Sequence, residues 1–201
     1  MSSAIPNSDS REEELLQRAR RGDRDAFVAL AEPFRERLYA TAYRLLGNRE
    51  DAAEICLEAM LRTFWKIAGF HGKSSFYTWL YRIALNLCYR RLEKGRREVS
   101  AAPLENEQDG REAPGILDRV ADSKASPREE AIHQERIALV RQALSLLSPE
   151  DFEIVILREF ENLSYEDLGF RLRIPQGTVM SRLHRARTAL ADHLRKLGIA
   201  Q

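Results

Sequence analysis

The sequence predicts an all-α protein of two small helical domains joined by a flexible acidic linker, the second domain containing a helix-turn-helix. Three observations predict it. Apolar residues recur at three- and four-residue steps along most of the chain, the period of a helix with one buried face. A Ser or Asp repeatedly stands just ahead of such a run, several times with an acid three residues later, as helix starts require. Residues 98–130 break the pattern with four basic and nine acidic residues, three prolines and no aromatic, too little apolar surface to fold alone.

The elements follow in order. Ser10 with Glu13 opens a short helix that Gly22 ends. Asp23 caps a second helix reaching Leu46, which Pro33 kinks or splits because it lacks a backbone donor. Gly47-Asn48 stops it, and a third helix runs from about residue 49 to 68. A loop from Gly69 to Ser74 precedes a fourth helix over 75–94. With 97–126 as linker, the domains are 1–96 and 127–201. Beyond it, Ser126-Pro127 restarts helix with Pro at the first helical position, where its missing donor costs nothing. Ser148-Pro149 repeats the device, and Ser164 with Asp167 opens a helix over 165–172. A tight turn at Arg173-Ile174-Pro175 then leads into a last helix from Gln176.

Composition narrows the function. With no apolar run of about 18 residues, the chain is expected to be soluble and cytoplasmic, with no membrane insertion. Cys56 and Cys88 lie inside apolar helical patterns and read as core, not as a disulfide or zinc site. The four histidines are dispersed, no Gly-rich phosphate loop occurs, and no Ser or Cys has a legible base partner. No catalytic residue, metal site or cofactor is therefore expected. The formal net charge of +1 hides an uneven distribution: residues 73–97 and 171–196 each carry +6, leaving −11 for the remainder. Two basic segments in an acidic chain suit a polyanion touched at two places.

The two segments differ in kind. In the last helix Val179, Leu183, Ala186 and Leu190 form a buried stripe, and Gln176, Thr178, Ser181, Arg182 and Arg185 lie on the other side. Gly177 and Thr178 keep its N-terminal end slim and polar, suited to a major groove. With Arg171 and Arg173 just ahead, this module is expected to hold duplex DNA. The first segment instead crowds Phe76, Tyr77, Trp79 and Tyr81 at a helix start and follows them with Arg82, Asn86, Arg90 and Arg91. Stacking platforms beside phosphate contacts point to single-strand binding. Leu80, Ile83, Ala84 and Leu87 are its expected buried stripe.

The third helix has an inward stripe of Ala53, Cys56, Met60, Phe64 and Ile67, while Glu54, Leu57, Glu58, Leu61 and Trp65 share another face. Acidic and apolar groups mixed on one face are what a protein interface needs.

Three stretches carry a resemblance. "REDAAEICLEAMLRTFWKIAGF", "SSFYTWLYRIALN" and "LSYEDLGFRLRIPQGTVMSRLHRAR" resemble, in chain order, the polymerase-binding segment, the promoter-melting segment and the helix-turn-helix of bacterial RNA polymerase sigma factors of the extracytoplasmic function class. The resemblance implies two helical domains, regions 2 and 4, that direct core RNA polymerase to promoters. Region 4 would read duplex minus-35 DNA through Arg171, Arg173, Gln176, Gly177, Thr178, Ser181, Arg182 and Arg185. Region 2 would capture melted minus-10 DNA through Lys73, Ser74, Ser75, Phe76, Tyr77, Trp79, Arg82, Asn86 and Arg90. Asp51, Glu54, Leu57, Glu58, Leu61 and Trp65 would meet the clamp of the polymerase, and an anti-sigma factor is a further implied partner. The residues also admit a transcription regulator with the same helix-turn-helix and an N-terminal ligand-binding or dimerisation domain. The chain departs from the family pattern at Leu57, Met180 and Gly169, the last expected to weaken its helix by up to about 1 kcal/mol.

Overall fold

Capping chemistry sets most helix starts. In the computed structural model, which describes residues 8–72, 74–101 and 127–199, nine α-helices and no strand occur among the described residues. Helix α1 (Ser8–Arg20) begins ahead of Ser10, so the expected Ser10–Glu13 start lies inside it. Asp23 accepts the Ala26 amide at 3.0 Å and caps α2 (Arg24–Ala31). Pro33 falls in a 3-10 turn over Glu32–Phe34, which splits the expected long helix and releases α3 (Arg35–Leu46). Gly47 ends α3 in the left-handed region at φ 73°, and Asn48 caps α4 (Arg49–Lys66) by accepting the Asp51 amide at 2.9 Å.

Helix α5 (Phe76–Ala101) starts from Ser75, whose Oγ accepts the Thr78 amide at 3.2 Å. It runs past the expected domain boundary at residue 96, so the first part of the expected linker is helix. Residues 102–126, the rest of that linker, lie outside the described residues.

The second half comprises α6 (Pro127–Ser145), α7 (Pro149–Glu159), α8 (Tyr165–Leu172) and α9 (Gln176–Lys196). Ser148 caps α7, and Ser164 with Asp167 makes a reciprocal capping box on α8. The Ser164 hydroxyl and amide hold the Asp167 carboxyl below its usual range, although the group is exposed. Removing such a cap costs about 1 kcal/mol. Ser164→Ala is expected to lower the melting temperature by about 2–4 °C, read by a thermal circular-dichroism melt.

Packing corrects two expected stripes. On α4 the buried residues are Ala52, Ile55, Cys56, Ala59 and Thr63, whereas Ala53 is exposed. Small side chains let neighbouring helices approach closely, and Thr63 returns its hydroxyl to the Ala59 carbonyl at 2.6 Å. Of the expected stripe, Cys56 and Ile67 are buried and Met60 and Phe64 pack against the core, so only Ala53 is misplaced. On α5, Leu80, Ala84 and Leu87 are buried as expected, but Phe76, Tyr77, Tyr81, Leu85 and Cys88 are buried too. So broad a buried arc means that α5 is covered from more than one side.

The second cover is the C-terminal half. Helices α6 and α7 pack on α5, and the buried residues of both halves form one continuous cluster. Tyr89 of α5 stacks at an angle on Phe152 of α7 at 5.3 Å between centroids and donates to the Leu147 carbonyl at 2.9 Å. Arg141 of α6 lies directly over Gly47, where a Cβ would collide with its guanidinium. The two halves are helical as expected, and in this structure they are packed against each other.

Candidate nucleic-acid interface

The C-terminal site rests on α8 and α9. Arg173 ends α8 in the left-handed region at φ 56°, and Ile174-Pro175 turns the chain into α9. A Cβ on Gly169 would come within 3.0 Å of the Ile174 carbonyl oxygen, so a glycine here lets the turn lie close against α8. Helix propensity alone missed that reason for the departure from the family pattern. Val179, Leu183 and Ala186 are buried and Leu190 is half-buried, which fixes the rotation of α9. Its outward face in the first turns carries Gln176, Gly177, Met180, Ser181 and His184, all exposed. Pro175 gives the helix no side-chain cap.

The basic residues divide. Arg182 is half-buried at the flank of this face, and Arg171 is half-buried while Arg173 is exposed. Arg185 donates to Asp151 of α7 at 2.8 Å, and Arg187 to Glu159 at 2.5 Å. These acids tie α9 to α7 and partly neutralise the basic face. Thr178 is half-buried, and its carbonyl accepts the Ser181 hydroxyl at 3.2 Å.

The N-terminal site lies on the loop before α5 and on α5 itself. Lys73 lies outside the described residues. Ser74 is half-buried and Ser75 serves as the α5 cap. Asn86 and Arg90 are exposed and available to a ligand. Trp79 is half-buried, stacked on Phe70 at 4.9 Å between centroids.

Phe76 is a correction. It is 1% exposed, ringed by Phe27, Phe34, Phe70 and Trp79 at 6.1–6.5 Å, and belongs to the core of this half. A side chain so enclosed offers no face to a base. Tyr77 is 7% exposed for a different reason, because the turn between α7 and α8 covers it. Its phenol donates to Glu161 at 3.2 Å, and burial followed by that carboxylate pushes its pKa well above the usual range. The guanidiniums of Arg37 and Arg171 stand over its ring at 4.9 and 5.8 Å. Arg82 is likewise occupied, forking onto Glu153 of α7 at 2.6 and 3.4 Å.

The third set lies on α4. Leu57, Leu61 and Trp65 are exposed on one face, with Trp65 73% and Leu57 61% accessible. Arg91 of α5 bridges Asp51 and Glu54 at 2.5 and 2.6 Å, and Glu58 accepts Arg62 at 2.5 Å. An apolar ridge thus stands between braced acids. Beside it, a cavity of about 430 Å³ is lined by residues including Tyr39, Cys56, Leu57 and Met60. Burial lifts the Cys56 thiol to about 11, so at neutral pH it is a thiol and not a nucleophile.

Sequence reasoning missed Arg37, Thr41, Arg91, Glu153 and Glu161. The contacts of Arg37, Thr41, Glu153 and Glu161 join residues of the two halves, and no local period marks such pairs. Arg91 was seen as basic, but its role as a brace for α4 had no signal in the sequence.

Comparison with known proteins identifies the family. The sigma-70 region 2 family matches residues 30–98, and the sigma-70 region 4 family matches residues 137–190. The chain is 31% identical to the ECF RNA polymerase sigma factor SigW of Bacillus subtilis, over 90% of this chain and 96% of the relative. It is 34% identical to the RNA polymerase sigma-H factor of Pseudomonas aeruginosa, over 92% and 95%. With the ECF RNA polymerase sigma-E factor of Escherichia coli K12 the identity is 32%, over 91% and 94%. Among solved structures, CnrH in complex with the cytosolic domain of CnrY has the same fold, with a TM-score of 0.52, 20% identity, and coverage of 92% and 98%. The two-half helical architecture is thus that of a sigma factor with regions 2 and 4. The chain belongs to the extracytoplasmic function class of bacterial RNA polymerase sigma factors, which sets aside the ligand-binding regulator as the better reading. Among the described residues no helix is long and apolar enough to cross a membrane.

Proposed function

We propose that this chain binds core RNA polymerase through the α4 ridge and directs it to promoters in the cytoplasm, α9 reading duplex minus-35 DNA and the start of α5 holding melted minus-10 DNA. The reading assigns it no bond-making chemistry: it supplies recognition, and the polymerase supplies catalysis. The observation that carries it is the slim, uncapped N-terminal end of α9, with Gly177 and Ser181 outward and arginines at the flanks, in a chain of this family. An uncapped helix start suits phosphate, and the exposed turn suits base edges. Tyr77 and Arg82 enter this reading only when the C-terminal half moves off them. An anti-sigma factor is a further partner that family membership makes reasonable.

Reconstitution with core polymerase, mapping of transcript starts and permanganate probing of promoter thymines test the reading together. Specific starts with reactive thymines are expected. Holoenzyme that yields no specific start and no reactive thymine on genomic promoters would overturn it.

Arg182→Ala is expected to weaken holoenzyme binding to duplex minus-35 DNA by about 5- to 150-fold, as for a lost base contact of about 1–3 kcal/mol. Arg185→Ala should also loosen the fold, because it strips Asp151 of its partner. Band-shift titration beside a thermal melt separates the two.

A further inference from the structure

Met180 lies on the outward face of α9, where the packing of the chain itself has no use for it. It is 54% exposed and, among the described residues, is packed into no hydrophobic cluster. Beside the exposed Gln176, Gly177, Ser181 and His184 it is the one large apolar side chain of that face.

Gly177, one turn earlier, is equally unexplained from within. A glycine in a helix is less favourable than alanine unless the backbone or a close neighbour demands it. Neither does here. Its φ is not among the positive ones, and a Cβ built on it would meet nothing within 4 Å. Gly169, by contrast, is required by the Ile174 carbonyl. Long side chains on a helix lean toward its N-terminus and cover the turn before their own Cα, and positions three apart are neighbours. Met180 therefore leans over the bare backbone at 177, and the two make a small apolar notch that opens outward.

The chemistry of the notch selects what can fill it. In a major groove the edges of guanine, adenine and cytosine present hydrogen-bonding groups, and thymine alone adds an apolar one, its C5-methyl. A thioether has no donor, so a guanine edge pressed on it would lose water and gain nothing in return. The cations that could serve guanine stand elsewhere: Arg185 is held by Asp151, Arg187 by Glu159, and Arg182 lies at the flank.

Resting on the reading that α9 enters duplex minus-35 DNA, we propose that Met180 selects a thymine, whose C5-methyl seats against the thioether and over the bare backbone of Gly177. Met180 is then a specificity-determining residue, while the flanking arginines supply affinity without choosing this base. Burial of one methyl group favours thymine about fourfold over the same base without it.

The test uses holoenzyme and a duplex carrying the minus-35 segment of a mapped promoter, its thymines replaced one at a time by deoxyuridine. Each replacement deletes a methyl and leaves pairing, donors and acceptors as they were. For wild type, one replacement is expected to weaken binding about fourfold in a band-shift titration. Met180→Ala should bind the thymine duplex about as weakly as wild type binds that uracil duplex, and should be indifferent to the replacement. Met180→Leu, apolar and of similar volume, should restore the response. Gly177→Ala fills the notch, so it should weaken binding to the thymine duplex while the melting temperature of the free chain stays equal to or above wild type. Wild-type holoenzyme that is indifferent to every methyl overturns the proposal. So does a Met180→Ala loss of the same size on both duplexes, as a merely structural role would give, or a Gly177→Ala protein that binds like wild type. Holoenzyme that binds no mapped promoter sinks the sigma-factor reading and this contact with it, whereas tight binding without methyl dependence removes the contact alone.

Discussion

Leu57→Arg combined with Trp65→Ala is expected to reduce the affinity of the chain for core RNA polymerase by on the order of 100-fold or more, with helicity and melting temperature close to wild type. The magnitude follows from interface energetics: a buried anchor costs about 2 kcal/mol or more when truncated, and two such anchors act on the same ridge. Stability is spared because neither side chain is part of the core. Trp65 is 73% and Leu57 61% exposed, so the free chain loses little on their removal. Charge reversal at Glu54 and Glu58 is a weaker probe, since Glu54 is held by Arg91 and Glu58 by Arg62. Native pull-down titration against core enzyme checks the effect. Wild-type affinity in the double variant would take the α4 ridge out of the polymerase interface.

Phe76→Ala is expected to cost about 3–5 kcal/mol, a large share of the total stability of a small domain. The cause is the cage of four aromatic rings around it, which would be left lining a cavity. Phe76→Leu keeps most of the volume and should cost about 1.5 kcal/mol or less. Urea unfolding of the two variants gives both numbers. A Phe76→Ala protein of wild-type stability that fails only in promoter opening would restore this residue to the DNA-contact set.

The contrast between Phe76 and its neighbours shows where sequence reading reaches its limit. Helix starts were legible because caps act within three residues, as Asp23, Ser148 and Ser164 do. The α9 stripe was legible because Val179, Leu183 and Ala186 keep strict helical spacing. Aromatics packed at one helix start are ambiguous, since the same residues can stack on bases or on one another. Phe76 went inward, Trp79 lies at the margin, and Tyr77 is covered by another half of the chain. Nothing local distinguishes these outcomes. On α4 the reading found Cys56 and Ile67 but passed over Ala52, Ala59 and Thr63, which mark close helix approach without being large or strongly apolar. The carboxylates at 153 and 161 looked like ordinary acids, and only the tertiary fold brings them to Arg82 and Arg37.

The course of α5 bears on how such chains can be recombined. By sequence the region 2 family ends at residue 98 and region 4 begins at 137, which invites a chimaera spliced between them. By packing, Tyr89 and its neighbours on α5 share a core with Phe152 and Leu147 across that splice. A hybrid joined in the linker would inherit one wall of this core from each parent. Its packed form would be mismatched even if each module were intact, so compatibility between parents is set on the flank of α5, far from the point of joining.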